Sequence, residues 1–303
     1  MRQIETISQL RAACDRARAN GQRVGLVPTM GYLHEGHRSL MQAARAACDF
    51  VVVTIFVNPL QFGAGEDLDR YPRDLTGDLA QCEQEGVDAV FAPSVAEMYP
   101  SGRPLTTVHV DGLTADLCGA ARPTHFDGVA TVVTKLFAVV GQCSAFFGRK
   151  DAQQLAVIER LVEDLNLPVD VVGCPIVREA DGLALSSRNA YLAPAQRRAA
   201  LVLSRALEAA AQAAVLGERD ARVLVDIVRG LVASEPQVGL EYVELRAAHE
   251  LTPVDLLDGD VLLALAATVG KTRLIDNVLL SVRGTEVHAD LGTGASRREG
   301  AGK

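Results

Sequence analysis

The sequence predicts an α/β fold in which a parallel sheet is covered by helices, followed by a smaller α+β domain. Up to about residue 190, short apolar runs alternate with longer helix-like segments. This alternation is typical of strand–helix–strand units around a parallel sheet. Beyond that point an alanine-rich helix precedes three strand-like runs, which indicates a second domain. A chain of 303 residues is long enough for two hydrophobic cores.

The first domain, residues 1–176, is predicted to contain five strands with helices between them. The strands are short apolar runs, several rich in β-branched residues, of the kind buried on both faces of a parallel sheet. They are expected at 24–28, 49–58, 87–93, 144–148 and 168–177. Helices are expected at 36–48, 77–86, 125–141 and 151–167. Ligands of such sheets collect at the carboxyl ends of the strands, where the loops begin.

The second domain is predicted to span residues 177–284. Its first helix covers 193–214, where Pro194 suits the first helical turn, and a second helix lies near 219–234. Strands are expected at 241–251, 261–270 and 272–282. The remaining residues, 285–303, are rich in glycine, charged and small side chains, so we expect a disordered tail.

The composition limits the classes of partner. The formal net charge is −8, whereas a general binder of nucleic acids or membrane surfaces carries a basic field, so we expect neither partner. No apolar run approaches the roughly 20 residues of a membrane span. The six cysteines include no CxxC pair, which argues against a zinc cluster. Without an apolar N-terminal segment, we expect a cytoplasmic protein with free thiols.

The stretch PTMGYLHEGH (28–37) joins a predicted strand to a predicted helix. A helix that begins near Gly36 directs backbone N–H groups toward the preceding loop, and its dipole favours an anion there. Gly31 allows close backbone approach, and His34 and His37 can donate hydrogen bonds to phosphate oxygens, with added charge when protonated. Two ordinary surface histidines are an alternative, and so is a metal site, although the sequence offers no clear third ligand.

Two further loops of the first domain carry polar groups. Asn58 and Gln61 follow a strand, where side-chain amides can orient a small polar ligand, although turn chemistry alone also explains them. In FFGRKDAQQL, Gly148 ends a strand, Lys150 lies where a phosphate would bind, and Asp151 suits a helix N-cap or a metal-bound phosphate. Gln154 falls at the capping-box position, so a structural role is an alternative for it as well.

The fourth loop, VREADGLALSSRNAYL (177–192), begins the second domain. Ser186, Ser187 and Arg188 offer two hydroxyls and a guanidinium in sequence, which suits a phosphate clamp. A domain-connecting loop with a helix cap is the alternative. The cationic loops and the histidine-bearing helix start together favour a nucleoside triphosphate as ligand.

These segments closely resemble the pantothenate synthetases, the ATP-dependent pantoate–β-alanine ligases. The resemblance runs from about residue 4 to 283, with the motifs in the expected order. HEGH is similar to the HIGH-type signature of the nucleotidylyltransferase superfamily, and LSSRN takes the place of the second signature. The resemblance implies a Rossmann-like domain with the HIGH-type motif, a smaller C-terminal lid domain, a homodimer, and the substrates ATP with Mg²⁺, pantoate and β-alanine. It implies adenylation of pantoate, followed by attack of the β-alanine amine and release of AMP.

The resemblance also implies roles for individual residues. His37, as general acid, and His34, Lys150 and Arg188 form the catalytic group. The expected ATP-binding residues are Met30, Gly31, His34, His37, Gly148, Lys150, Asp151, Val177, Ser186, Ser187 and Arg188, with Asp151 as a metal ligand. Those expected to bind pantoate or β-alanine are Gln61, Gln154, Asn58, Tyr71 and Arg122.

Two residues depart from the family pattern. Arg149 stands where glutamate is usual, which inverts a charge beside the proposed phosphate site, and Ala152 replaces an aromatic residue. An inactive nucleotide-binding regulator is therefore one alternative. A different nucleotidyltransferase and a metal hydrolase built on HxxH are two others.

Overall fold

The computed structural model describes residues 1–63 and 65–294. The chain divides into two units, Met1–Cys174 and Pro175–Lys303. The division falls two residues before the boundary predicted from the sequence.

The first unit is built on six strands that form one parallel sheet. In chain order they are β1 (Arg2–Ile4), β2 (Val24–Thr29), β3 (Phe50–Ile55), β4 (Ala89–Phe91), β5 (Cys143–Gly148) and β6 (Val169–Cys174). Their spatial order is β1-β4-β3-β2-β5-β6, and every neighbouring pair is parallel. The predicted α/β class is therefore confirmed. Strand β1 was not predicted, because its three residues include one buried side chain and form no apolar run.

Within residues 1–63 and 65–174, seven helices connect these strands. They are α1 (Ile7–Ala19), α2 (Glu35–Ala47), α3 (Leu75–Gln84), α4 (Val95–Met98), α5 (Cys118–Ala121), α6 (His125–Val140) and α7 (Ala152–Asp164). The four helices predicted in this region match α2, α3, α6 and α7. The sequence analysis did not identify α1, whose buried face consists of Leu10 and three small residues, a weak hydrophobic signal.

The sheet is buried on both faces, as its apolar strands require. Phe146 of β5 belongs to a core cluster with residues of α2 and α3. Its neighbour Phe147 points to the opposite face, where its ring meets that of Phe137 in α6 at a centroid distance of 6.5 Å. Successive side chains of a strand alternate between faces, so a double helical cover requires an apolar residue at both positions.

The second unit combines two long helices with an antiparallel sheet. Its elements are β7 (Val177–Arg178), α8 (Pro194–Val215), α9 (Ala221–Ala233), β8 (Val238–Ala247), β9 (Gly259–Val269), β10 (Thr272–Arg283), β11 (Glu286–Asp290) and β12 (Thr293–Gly294). The sheet order is β11-β10-β9-β8, and both helices share a core with it. In the part of the chain that the structure describes, no helix is both long enough and apolar enough to cross a membrane.

Two predictions about this unit are wrong. The disordered tail expected from residue 285 is ordered over 286–294, because β11 pairs with the edge of β10 and β12 pairs with β7. An edge strand tolerates the polar composition that indicated disorder. Residues 295–303 of that predicted tail lie outside the described residues. The single strand predicted at 168–177 is two strands, β6 and β7, with Pro175 between them, since proline cannot donate a ladder hydrogen bond.

All six cysteines are buried, free thiols. Burial raises the pKa of Cys14 to about 11 and that of Cys143 to about 12. Burial also raises the pKa of Cys82 to about 12. Because the thiolate is the reactive form, these three side chains are packing residues and not nucleophiles.

A buried ion pair joins β7 and β10 of the second unit. Arg178 of β7 donates two hydrogen bonds to Asp276 of β10, at 2.7 and 3.0 Å, with side-chain exposures of 12% and 4%. We predict that Asp276→Asn lowers the free energy of unfolding by about 3–5 kcal/mol, since it leaves a buried guanidinium without its counter-charge. Urea unfolding followed by circular dichroism measures this change.

The matched control for that variant is Asp260→Asn. Asp260 pairs with Arg283, whose side chain is 63% exposed. Solvent-exposed pairs contribute roughly 0–1 kcal/mol, so the control is expected to stay in that range. Equal losses in the two variants would contradict the assignment of the Arg178–Asp276 pair as a buried stabilising contact.

Candidate active site

The strand order reverses between β2 and β5. From β2 the chain continues to its neighbour β3, and from β5 it continues to its neighbour β6 on the opposite side. The loops that follow β2 and β5 therefore leave in opposite directions and open a crevice at the carboxyl ends of these strands. The two loops are PTMGYLHEGH and the start of GRKDAQQL, which the sequence analysis selected independently.

The loop after β2 is held by a carboxylate from α3. Gly31 and Tyr32 have φ angles of 80° and 51°, in the left-handed region that favours glycine. Asp78 accepts hydrogen bonds from the backbone N–H groups of Tyr32, at 2.9 Å, and Leu33, at 2.7 Å. A Cβ on Gly31 would lie 2.8 Å from the same carboxylate, so only glycine fits.

Helix α3 extends this support with a polar stripe. Gln81 donates to the carbonyl of Leu33 at 3.2 Å, and Glu85 accepts from Arg38 of α2. The sequence analysis missed Asp78, Gln81 and Glu85. Their i, i+3, i+7 spacing places them on one face of a helix, and this periodicity was the available signal.

His34 and His37 cap helix α2 reciprocally. The Nδ1 atom of His34 accepts from the backbone N–H of Gly36 at 3.2 Å, and Nδ1 of His37 accepts from the N–H of His34 at 3.3 Å. The ring centroids are 4.1 Å apart. Because a backbone N–H can only donate, the remaining proton of each neutral imidazole lies on Nε2. The pair therefore presents two Nε2–H donors at a helix N-terminus, which is more than two ordinary surface histidines would do.

His37 is neutral at pH 7. Burial lowers the pKa of its imidazole well below the usual value; a proton on His34 would lower that pKa further, and so does the charge of Lys150. Lys150 follows β5, the strand next to β2, so this charge comes from the loop after the neighbouring strand. At neutral pH His37 is thus a hydrogen-bond donor and not a cation.

Asn58 and Gln61 lie together in the loop after β3, where residues 59–61 form a 3-10 turn. Asn58 Nδ2 donates to Gln61 Oε1 at 3.1 Å, and Gln61 Nε2 lies 3.2 Å from the sulfur of Met30. Asn58 Oδ1 also accepts from the N–H of Leu60, which is the predicted turn chemistry. A Cβ on Gly128 of α6 would lie 2.5 Å from the Leu60 carbonyl, so this glycine permits the close contact.

Arg122 lies beside Gln61, where it holds the loop after β3. It pairs with Glu66 at 2.6 Å and approaches the carbonyl of Gln61 at 3.3 Å. His125 Nδ1 donates to the same carbonyl at 2.9 Å, and Arg122 Nη1 donates to His125 Nε2 at 3.1 Å. Neither Glu66 nor His125 was assigned a role from the sequence. Tyr71, from the same loop, is buried with its ring edge-on to Phe62.

The loop after β5 contains a 3-10 turn, Arg149–Asp151, before α7. Asp151 is the N-cap of α7, but its side chain makes no cap hydrogen bond, so the capping box with Gln154 does not form. Gln154 is partly exposed, whereas the adjacent Gln153 is buried and binds the backbone of residues 113–118. Ala152 begins the helix and is partly exposed.

Arg149 extends toward β6. A Cβ on Gly173 would meet its Nε atom at 3.2 Å, and its charge lowers the pKa of Cys174, which burial raises. The guanidinium therefore lies along the last residues of β6.

The fourth loop belongs to the second unit. Val177 accepts from the N–H of Leu185 at 2.9 Å, which folds the loop back on β7. Ser186 caps a 3-10 turn over residues 187–191 by accepting from the N–H of Arg188 at 3.3 Å. The predicted helix cap is thus present. Ser187 and Arg188 lie on this turn and are partly exposed.

Among residues 1–63 and 65–294, no group of three or more histidine, cysteine or acidic side chains could hold a metal ion. A hydrolase with a metal bound by HxxH would need such a group. Asp151, which is exposed, is an oxygen ligand of the type that Mg²⁺ prefers when phosphates complete its coordination.

Known proteins resemble the chain over most of its length. A sequence model of the pantoate–β-alanine ligase family matches residues 2–279. A pantothenate synthetase of Pelotomaculum thermopropionicum is 57% identical over 275 residues, covering 91% of this chain and 97% of that protein. A pantothenate synthetase structure from Thermus thermophilus is 48% identical with a TM-score of 0.87, covering 91% of this chain and 98% of that one. A pantoate–β-alanine ligase structure from Francisella tularensis, complexed with beta-gamma ATP and β-alanine, is 32% identical with a TM-score of 0.73, covering 91% and 97%.

The His125 network makes stability depend on pH. Burial, aided by the charge of Arg122, lowers the pKa of His125 to about 4, against an ordinary value of 6.5. Between these values the unfolded chain binds a proton that the folded chain does not, so stability falls as pH falls from 6.5 to 4. The slope from one such group reaches at most about 1.4 kcal/mol per pH unit. We predict that His125→Gln flattens this decline in urea unfolding.

His109→Gln provides the control. Asp127 raises the pKa of the exposed His109, so this group is protonated in both states below pH 6.5 and adds little slope there. A decline that His125→Gln leaves unchanged would contradict the neutral state assigned to His125.

Proposed function

The chain belongs to the pantoate–β-alanine ligase family, and from this premise we propose that it makes pantothenate from pantoate and β-alanine through a pantoyl adenylate. It is a ligase that forms a C–N amide bond and consumes ATP in pantothenate biosynthesis. The observation that carries the proposal is the reciprocal histidine cap at the start of α2. Its two Nε2–H donors lie at a helix N-terminus, and the charge of Lys150 acts on His37.

The nucleotide binds along the loops after β2 and β5. The positive end of the α2 dipole, Lys150 and the imidazole N–H groups favour the polyphosphate. We assign to ATP the residues Met30, Gly31, His34, His37, Gly148, Lys150, Asp151, Val177, Ser186, Ser187 and Arg188. Asp151, together with the phosphates, would hold the Mg²⁺ that accompanies ATP, and the ion would neutralise part of the charge on those phosphates.

In the first step a carboxylate oxygen of pantoate attacks the α-phosphorus of ATP. The bond from the α-phosphorus to the bridging oxygen breaks, and pyrophosphate leaves with the electron pair. Negative charge therefore builds up next to His34, His37 and Lys150, whose fixed positions stabilise it without reorganisation. The approaching anion raises the pKa of His37 and so favours its protonated form, whose Nε2–H donates a charge-assisted hydrogen bond to the leaving group.

In the second step the amine of β-alanine attacks the activated acyl carbon. The amide C–N bond forms, the acyl–phosphate bond breaks, AMP leaves, and the nitrogen loses a proton. The mixed anhydride is already reactive, so no protein nucleophile is needed. The chain has to position two substrates and keep water away from the adenylate, a task that the second domain would perform as a mobile lid.

Pantoate and β-alanine occupy the side of the site that contains Gln61 and Gln154. The neighbouring side chains differ in their tasks. Arg122 is engaged with Glu66 and with the Gln61 backbone, so we assign it the support of Gln61 more than direct substrate contact. Asn58 orients the Gln61 amide, and Tyr71 packs its buried ring against Phe62, the residue after Gln61.

We further propose a cytoplasmic homodimer, in line with the family resemblance and the thiol chemistry. The fully exposed side chain of Leu105 is a candidate for burial between two copies. Light scattering on the purified protein tests the dimer.

Pyrophosphate release is the direct test of the proposed function. The purified protein is mixed with Mg-ATP and with pantoate, β-alanine or both. A single-turnover burst of pyrophosphate with pantoate alone, then steady AMP and pantothenate when β-alanine is added, is expected. ATP binding without pyrophosphate under any condition would instead support an inactive regulator, for which Arg149 is the first residue to replace. AMP or CMP transferred to another acceptor would indicate a different nucleotidyltransferase.

Replacement of His37 by alanine tests its proposed role in catalysis, and the stability of the variant is the control. His37→Ala is expected to lower turnover by roughly 10²–10³-fold, as expected for loss of a transition-state donor. Its stability should fall by no more than about 1 kcal/mol, the typical effect of one cap. Single-turnover pyrophosphate release and urea unfolding measure the two effects.

Two further variants distinguish the capping role of His37 from its role as a hydrogen-bond donor. His37→Asn can still accept from the N–H of His34 but lacks a donor at the Nε2 position, so it should be stable and slow. His37→Gln can place a donor near the Nε2 position and should retain more turnover than His37→Asn. Near-normal turnover of His37→Asn would rule out the Nε2–H as the functional group.

A further inference from the structure

A short chain of buried polar side chains leads away from the substrate-binding amide. The hydroxyl of Tyr99 donates to Asn58 Oδ1 at 2.8 Å, and Asn58 Nδ2 donates to Gln61 Oε1 at 3.1 Å. Asn58 and Tyr99 are 1% and 5% exposed. The function described above uses Gln61 and Asn58, and it gives Tyr99 no part.

Two backbone groups fix the orientation of the Asn58 amide. Its Nδ2 lies 2.9 Å from the carbonyl oxygen of Gly128, which can only accept. Its Oδ1 lies 3.3 Å from the N–H of Leu60, which can only donate. A flipped amide would place Nδ2 against the Leu60 N–H and Oδ1 against the Gly128 carbonyl, which is costly in a buried site.

The orientation of Asn58 determines that of Gln61. The second Nδ2 proton of Asn58 needs an acceptor, so Gln61 turns its oxygen toward Asn58 and its NH₂ group away, toward Met30. Gln61 therefore offers its NH₂ group, a hydrogen-bond donor, to a ligand. It suits a substrate oxygen, such as the carboxylate or a hydroxyl of pantoate, and does not suit a group that can only donate.

Tyr99 completes the chain and is itself rigidly held. Burial raises the pKa of its phenol, so the hydroxyl keeps its proton and donates to Asn58. The ring contacts Phe56 at a centroid distance of 6.0 Å, and the ammonium of Lys135 lies 5.6 Å from its centroid. The bond to Oδ1 is shorter than the one from Leu60, so Tyr99 supplies the better of the two contacts that Oδ1 accepts.

We propose that Tyr99 is a positioning residue for pantoate: its hydroxyl, acting through Asn58, locks the Gln61 side chain with its NH₂ group toward the substrate. The proposal rests on the proposed function, because it concerns the same site. It assigns a role to Tyr99, which does not touch the substrate. It also specifies that Gln61 turns its NH₂ group, and not its oxygen, toward the substrate.

The test is Tyr99→Phe, which removes the hydroxyl and keeps the ring. We expect kcat/KM for pantoate to fall by about five- to ten-fold, the effect of one net hydrogen bond, while KM for ATP changes by less than about two-fold. Tyr242→Phe, a hydroxyl deletion in the second unit, is the matched control and should leave kcat/KM for pantoate unchanged. Equal changes for pantoate and ATP would overturn the proposal, since they indicate a general loss of packing.

A double-mutant cycle identifies the route of the effect. In a Gln61→Leu background, Tyr99→Phe should cause no further loss of kcat/KM for pantoate, because the group that it positions is gone. The same fold loss in both backgrounds would show that Tyr99 acts independently of Gln61 and would overturn the proposal.

A variant of Gln61 tests the proposal independently, in case Tyr99→Phe fails to fold. Gln61→Glu keeps an oxygen for Asn58 Nδ2 but turns a second oxygen toward the substrate, so kcat/KM for pantoate should fall by about ten-fold or more. Retention of wild-type kcat/KM would overturn the donor polarity. A wild-type protein that makes no pantothenate would instead refute the proposed function, so the two failures are distinguishable.

Discussion

The adjacency of β2 and β5 at the centre of the parallel sheet is the constraint on which the candidate site depends. The connections from these strands run in opposite directions, so a crevice opens between their carboxyl ends. The histidine loop and the Lys150 loop begin at this gap. Both strands are buried on both faces, and their apolar side chains give the loops a rigid base.

The imidazoles of His34 and His37 cap helix α2 and are also the hydrogen-bond donors that we propose for the ligand. Each Nδ1 accepts a backbone N–H and helps to begin α2, and this fixes each Nε2–H as a donor. Because the cap requires an unprotonated Nδ1, it also opposes protonation, in the same direction as burial and the charge of Lys150. A bound anion would act in the opposite direction, which is consistent with the polyphosphate that we propose as ligand.

Side chains outside the expected motifs hold the expected ones in place. Asp78 fixes the left-handed backbone before the histidines, and Glu66, through Arg122, fixes the loop that carries Gln61. Tyr99 does the same for the Gln61 amide through Asn58. In each case a buried or partly buried partner restricts a backbone group or a side-chain amide to one of its possible orientations. Preorganisation of this kind reduces the rearrangement that binding would otherwise require.

The sequence by itself determined the fold class, most helices and strands and the loops of the site, because these follow from local periodicity and from motifs of adjacent residues. It could not determine β1 or β11, since short or edge strands depend on partners distant in the chain. Nor could it show that Asp78 binds the backbone of Tyr32 or that Tyr99 reaches Asn58, 41 residues away. The neutral state of His37 was likewise decided by the tertiary structure, because its pKa depends on burial and on a lysine from another loop.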